Sequence, residues 1–273
     1  MLNGLTQLNI ELTSRCDKQT LCRFCGHQDP AVFPTLRFGD MTPKLLMSIS
    51  DQVVELGQNL IVQFHRDGDP LAYKGTKRFT LGAALSIFGQ NVRSIVTHGE
   101  RLADRWMDIE NNCESVTVSI FRGDPDREIQ LASLREFISG QGWPLPKVFL
   151  KVVGDMSNDE LAEYRALGVP IMHRRLHIPI NNSKYAGGLP TMPEHGLCLD
   201  LLHHPSIAWD GRVYLCNRLD TKDAGLIGNL NTNSLDDIWN GELRASYIQK
   251  HLEGRRAEVP ACASCTYYGI PAS

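Results

Sequence analysis

The sequence predicts an α/β protein made of parallel βα units, followed by a small metal-stapled tail. Three observations lead there. Between residues 5 and 180, six short apolar runs alternate with five segments of helical periodicity, as strands do when helical crossovers let them run parallel. After residue 180 the composition shifts to Gly, Pro, Asn and Ser. Seven of the eight cysteines fall into two groups, one directly after the first apolar run and one in the tail.

The apolar runs at 5–13, 60–65, 92–97, 115–121, 147–153 and 170–180 read as strands. The segments 42–57, 77–89, 100–111, 126–140 and 157–168 read as helices. Thr42-Pro43 supplies an N-cap followed by proline at the first helical position, and Gly57, Gly140 and Gly168 are placed as stops. Units of this kind build either an open doubly wound sheet or a partial barrel. Both put the ligand at the C-terminal ends of the strands. Residues 181–196, NNSKYAGGLPTMPEHG, read as a linker or excursion loop. SIAWDGRVYLC (206–216) reads as a hairpin turning at Asp210-Gly211, and 233–254 as a helix. A tail of about 75 residues has little core of its own, which a metal centre would offset. The expected domains are therefore 1–180 and 181–273.

A net charge of −3 gives no global positive field, so extended nucleic-acid binding is not expected. No apolar run approaches the roughly 20 residues needed to cross a bilayer. MLNGLTQLNIELT has no basic-then-apolar signal pattern, so no membrane association and a cytoplasmic location are expected. In a reducing compartment, clustered thiols read as metal ligands or redox groups.

LTSRCDKQTLCRFCGH (12–27) places Cys16, Cys22 and Cys25 on the functional edge of the sheet. Either a structural zinc completes its shell with His27, or a four-iron cluster keeps one iron open. The functional edge suits the second, because a structural zinc gains nothing from that position. Cys198, Cys216, Cys262 and Cys265 form a complete four-thiolate set, suited to a second cluster or a zinc-ribbon-like site. Cys113 stands alone and reads as core packing. His203-His204 reads as hairpin surface, Asp124 and Asp126 as a helix start, and Trp209, Trp239, Tyr267 and Tyr268 as packing around the tail.

The first loop resembles that of the radical S-adenosylmethionine (radical SAM) superfamily, whose usual pattern is C-x3-C-x-aromatic-C. Here the spacing is C-x5-C-x2-C, with Phe24 in the aromatic slot. FHRDGDPLAY (64–73) is similar to that superfamily's Gly-Gly-Glu-Pro-like turn, and VTHG (96–99) to its Thr-Asn-Gly-type ending. The tail resembles the SPASM and twitch families, sharing the Asp-Gly hairpin, an Ile-Gly-Asn step and a Leu-x-x-Ile-Trp helix; its four cysteines match the shorter twitch form.

This resemblance implies a partial (β/α)6 TIM barrel with a small C-terminal iron-sulfur domain. It also implies two [4Fe-4S] clusters, S-adenosylmethionine cleaved to a 5′-deoxyadenosyl radical, and a flavodoxin- or ferredoxin-type electron donor. It assigns Cys16, Cys22 and Cys25 to the first cluster and Cys198, Cys216, Cys262 and Cys265 to the second. Phe24, Asp67, Gly68, Asp69, Thr97, Ser119 and Arg122 become cofactor contacts. Strand alternation aims Arg175 and His177 to one face at the end of the last strand, as candidates to bind or deprotonate substrate. The first strand begins near residue 5, which favours a small polar substrate over a long leader peptide. Dehydrogenation or rearrangement is the leading expectation. The alternatives are an epimerase, isomerase or maturase acting on a peptide or a carrier-bound amino acid, and a zinc-binding module without catalysis.

Overall fold

The computed structural model describes residues 4–18, 25, 36–56, 59–140, 147–174, 197–218, 220, 222–263 and 265. Among these, nine strands form one sheet. They are β1 (Gln7–Ile10), β2 (Ile61–Phe64), β3 (Val92–Thr97), β4 (Ser115–Ile120), β5 (Lys147–Val153), β6 (Ile171–Arg174), β7 (Ser206–Ile207), β8 (Arg212–Tyr214) and β9 (Leu226–Asn229). The spatial order is β6-β5-β4-β3-β2-β1-β7-β8-β9, so the sheet is open, with β6 and β9 at its edges. The first six strands are parallel throughout, as the alternation of strand and helix patterns requires.

Period-2 patterning decides which face each strand buries. Leu8 and Ile10, Val62 and Phe64, Val116, Val118 and Ile120, and Val148, Leu150 and Val152 are buried in one core. That core is shared with α1 (Pro43–Glu55), α2 (Leu81–Ser86), α3 (Trp106–Ile109), α4 (Arg127–Gly140) and α5 (Asn158–Arg165). The register puts Asn9, Gln63, Ser94, Ser115 and Lys147 in one row, and Ser119, Lys151 and Met172 in another, on the opposite face. The face away from the helices is therefore largely polar. Gln7 donates to Asn9 (2.7 Å) and to Gln63 (3.3 Å), and Gln63 reaches Ser94 (3.4 Å).

Helix starts follow their caps. Thr42 accepts from the Leu45 amide ahead of Pro43, and Ser157 closes a reciprocal capping box with Glu160. Two helices are shorter than their patterns suggest. Residues 77–79 form a turn bridged between Thr76 and Phe79, so α2 starts after the Thr80 cap. Residues 100–105 form turns after Gly99, whose φ of +88° breaks the helical path, and Arg105 there donates to the Leu71 and Tyr73 carbonyls.

The tail continues the sheet. β7 pairs in parallel with β1 and turns through Asp210-Gly211 into antiparallel β8, which pairs with β9. Gly211 has φ +89°, which glycine adopts without the Cβ penalty. The Ile-Gly-Asn step and the Leu-x-x-Ile-Trp helix meet in space, since a Cβ on Gly228 would lie 2.6 Å from Ile238. Val213, Leu235, Ile238 and Trp239 join the main core, so the tail is not held by a metal centre alone. The remaining helices are α6 (Leu199–His203), α7 (Leu235–Trp239) and α8 (Glu242–Leu252); the single helix expected over 233–254 is broken at Asn240-Gly241, which cap the two pieces. No described helix is long and apolar enough to cross a membrane.

Candidate functional site

The C-terminal ends of β1 and β2 lie backbone against backbone. The amide of Asp69 donates to the Arg15 carbonyl at 2.8 Å, and a Cβ on Gly68 would collide with the carbonyl oxygen of Thr13. Only glycine fits there, which accounts for its place in the 67–70 turn. Asp69 is 4% exposed and holds the turn. It accepts from Leu71 N (2.8 Å), from Thr97 Oγ1 (2.7 Å) and from His98 N (2.9 Å). Asp67, Gly68, Asp69 and Thr97, four of the predicted cofactor contacts, are thus gathered beside the segment that leads into Cys16.

Glu11, 2% exposed, joins this edge to the tail. Its carboxylate accepts from the amides of Asp67 (3.1 Å) and Gly68 (3.3 Å) in the turn and from Trp209 (3.2 Å) in the hairpin. Burial and the Asp67 charge push the Glu11 carboxyl above its ordinary range, with Arg66 opposing them. Arg66 pairs with Asp67 and stacks 3.9 Å from the centre of the Tyr214 ring. Trp209 lies on Gly39 and donates Nε1 to the Arg37 carbonyl (3.0 Å), pinning the chain that returns from the cysteine loop.

The cysteine loop itself is fastened by charge. Lys18, two residues after Cys16 and 1% exposed, meets Glu100 at 2.5 Å, Asp124 at 2.7 Å and Asp126 at 3.1 Å. Burial disfavours its ammonium, but hydrogen bonds to those three carboxylates outweigh burial and hold its pKa above the usual value. Next to it, Asp17 pairs with Arg101. The segment Cys16–Lys18 is thereby tied to the loops after β3 and β4. Asp124 and Asp126 do form the turn before α4, as expected, but also serve this clamp.

In the tail, Cys198, Cys216, Cys262 and Cys265 line one cavity together with Asp200, Arg218 and Arg256. Burial, then the charges of Asp200 and Cys265, push the Cys198 thiol up to about 11. Burial, then Cys265 and Cys198, take Cys262 to about 12, and burial with Asp200 and Cys265 raises Cys216. Thiols this buried around one cavity are costly as free thiolates, and a bound metal centre would remove the cost. Four soft sulfur donors around one cavity fit an iron-sulfur cluster. Burial opposes ionisation of Asp200, but hydrogen bonding from His204 (2.8 Å) and the Arg218 guanidinium (2.7 Å) hold its carboxyl down at about 2. His203 and His204 sit at the end of α6 rather than on the hairpin, and His204 supports Asp200.

Other predicted positions stand apart. Ser119 is on the polar face of β4, and its carbonyl accepts from Gln130 (3.1 Å). Arg122 pairs with Glu160 (3.1 Å) at the surface, outside the group around Asp69. Cys16 and Cys25 are half-buried. Cys22, Phe24, His27, Arg175, His177, Tyr267 and Tyr268 lie outside the described residues. Cys113 is buried in the core, as expected, with its thiol donating to the Ser115 carbonyl (2.9 Å). Sequence reasoning missed Glu11, Lys18, Arg66, Asp200, Arg218 and Arg256. The nearest signal was Lys18, a charge lodged between two cysteines of a tight loop.

Residues 198–266 match the model of the SPASM iron-sulfur cluster-binding domain. Among solved structures, BtrN in complex with AdoMet and 2-DOIA has a TM-score of 0.64 at 18% identity, covering 96% of this chain and 92% of BtrN. Selenomethionine BtrN in an open conformation gives a TM-score of 0.59 at 16% identity over the same shares. No curated protein sequence matches the chain. The tail matches the SPASM-type iron-sulfur domain and the whole chain shares the fold of BtrN, so the resemblance read from the tail cysteines is upheld by the first comparison and the expected fold by the second.

Proposed function

We propose that the chain is a radical SAM enzyme that oxidises or rearranges a polar small molecule, dehydrogenation being the favoured outcome. The observation that carries this reading is the pairing of a cysteine loop on the catalytic edge with a four-cysteine cavity on the same sheet. When bound, a three-thiolate [4Fe-4S] cluster and S-adenosylmethionine supply methionine and a 5′-deoxyadenosyl radical that takes hydrogen from substrate. Cys16, Cys22 and Cys25 would hold that cluster, and Cys198, Cys216, Cys262 and Cys265 a second one.

The chain's own residues do the positioning. Gly68 lets the 67–70 turn approach the loop, and Asp69 with Thr97 fixes the turn's shape, so the cofactor's amino acid end would meet a preset surface with Phe24 at its adenine. The polar face carrying Ser94, Thr117, Ser119 and Lys151 suits a hydroxylated or charged substrate. Arg175 and His177 would orient the substrate or take its proton, and Arg122 would serve only after leaving Glu160. The compound 2-DOIA bound to BtrN is itself a small molecule, which supports a substrate of that size. A flavodoxin- or ferredoxin-type protein of the cytoplasm would supply the electron.

Epimerisation needs a hydrogen donor, and Cys113 counts against it. Burial pushes that thiol up to about 12, and it is 3% exposed.

Anaerobic reconstitution followed by iron and sulfide analysis tests the reading, with dithionite-driven release of 5′-deoxyadenosine from S-adenosylmethionine. Wild-type protein is expected to release it and Cys22→Ala to release none. Zinc in place of iron at both centres, or full release by Cys22→Ala, would overturn the proposal.

A further inference from the structure

We infer that Arg256 and Asp200 set the reduction potential of the centre held by Cys198, Cys216, Cys262 and Cys265, in opposite directions, and that Arg256 poises it to accept an electron. The inference rests on the iron-sulfur reading given above and deepens it. A centre whose four corners are all cysteine has no open position for substrate, so its one-electron couple is what it offers the reaction. Among the described residues, those that line its cavity with charge are Asp200, Arg218 and Arg256.

Arg256 lines the cavity beside the C-x2-C pair, and its Nη2 donates to the Cys265 carbonyl at 2.7 Å. A positive charge fixed beside the centre stabilises the state with more negative charge, which is the reduced one. Asp200 works against it. It is 5% exposed and lines the same cavity two residues after Cys198, so its charge disfavours added negative charge on the sulfurs. Arg218 donates Nε (2.9 Å) and Nη2 (2.7 Å) to the same Asp200 oxygen, so these two largely offset each other within the cavity wall. The event concerned is one electron gained by the centre, with no bond made or broken. Its source is the substrate radical left after hydrogen abstraction, which becomes oxidised as it loses a proton.

The test uses the full chain carrying Cys16→Ala, Cys22→Ala and Cys25→Ala, so that only the tail centre reconstitutes. Its midpoint potential is read by electron paramagnetic resonance during a redox titration, with iron and sulfide counted in each sample. Arg256→Gln is expected to move the potential resolvably negative, Arg256→Lys to move it less, and Asp200→Asn to move it positive, all at the parent iron content. A merely structural role would not produce shifts of opposite sign. Unmoved potentials, or shifts of the same sign, would overturn the inference. So would loss of iron in Arg256→Gln accompanied by unmoved potentials in Arg256→Lys and Asp200→Asn. A parent protein that binds zinc without sulfide sinks the iron-sulfur reading itself, and that result is distinct from unmoved potentials in a protein holding the cluster.

Discussion

Replacing Lys18 with methionine keeps most of the side-chain volume and removes one charge. The structure makes that charge expensive to lose. Asp124, whose side chain is fully buried, and Glu100, at 14% side-chain exposure, would keep their negative charges without the ammonium at 2.7 and 2.5 Å. Breaking a buried ion pair from one side costs about 3–5 kcal/mol. At about 2 °C per kcal/mol for a chain of this size, the midpoint of thermal unfolding should fall by roughly 6–10 °C. The double variant Lys18→Met with Asp124→Asn should recover part of that loss, because a neutral amide needs no counter-charge. Circular dichroism melts of the reconstituted protein, paired with iron counts, would measure this. A drop under about 2 °C, or a double variant worse than Lys18→Met alone, would refute the clamp.

Other expectations follow from the same geometry. Gly68→Ala should lower S-adenosylmethionine affinity at least tenfold by calorimetry on reconstituted protein, since its Cβ meets backbone rather than a movable side chain. Trp209→Ala should cost about 3–5 kcal/mol by denaturant titration, because it removes an indole wedged on Gly39 and the bond to Arg37. Tyr73 and Tyr164, buried and bonded to the Met41 carbonyl (3.0 Å) and to Gln130 (2.6 Å), should ionise at about 12, visible as late tyrosinate absorbance. Burial raises both above the unfolded value, so the stability they lend is present below about pH 10 and lost as pH climbs toward 12. Cys113→Ala should leave substrate turnover unchanged; product lost while 5′-deoxyadenosine is still released would reopen the epimerase reading.

What the sequence revealed was local. Strands showed through period-2 patterning because one face of the sheet is packed with helices, and helix starts showed through Thr42 and Ser157 because a cap is a contact over three residues. Cysteines stand out by rarity and spacing. The supporting charges were illegible because their partners lie far along the chain: Lys18 meets Asp126 across 108 positions, and Glu11 meets Trp209 across 198. In one dimension a loop lysine or a strand-end glutamate looks like solvated surface, and only the topology reveals burial. The same holds for β7, which reads as one arm of a hairpin, forms it, and also continues the parallel sheet.

That strand placement bears on how the chain can be cut. Main-chain amides of Asn9 and Glu11 find their acceptors on Pro205 and Ile207, at 3.0 and 2.9 Å. Truncation before residue 198 would strip those acceptors and leave β1 as a bare, sticky border inviting intermolecular ribbon growth. The cysteine-rich end is therefore not a detachable cassette: grafting it elsewhere, or expressing the front portion alone, severs a seam that both pieces share.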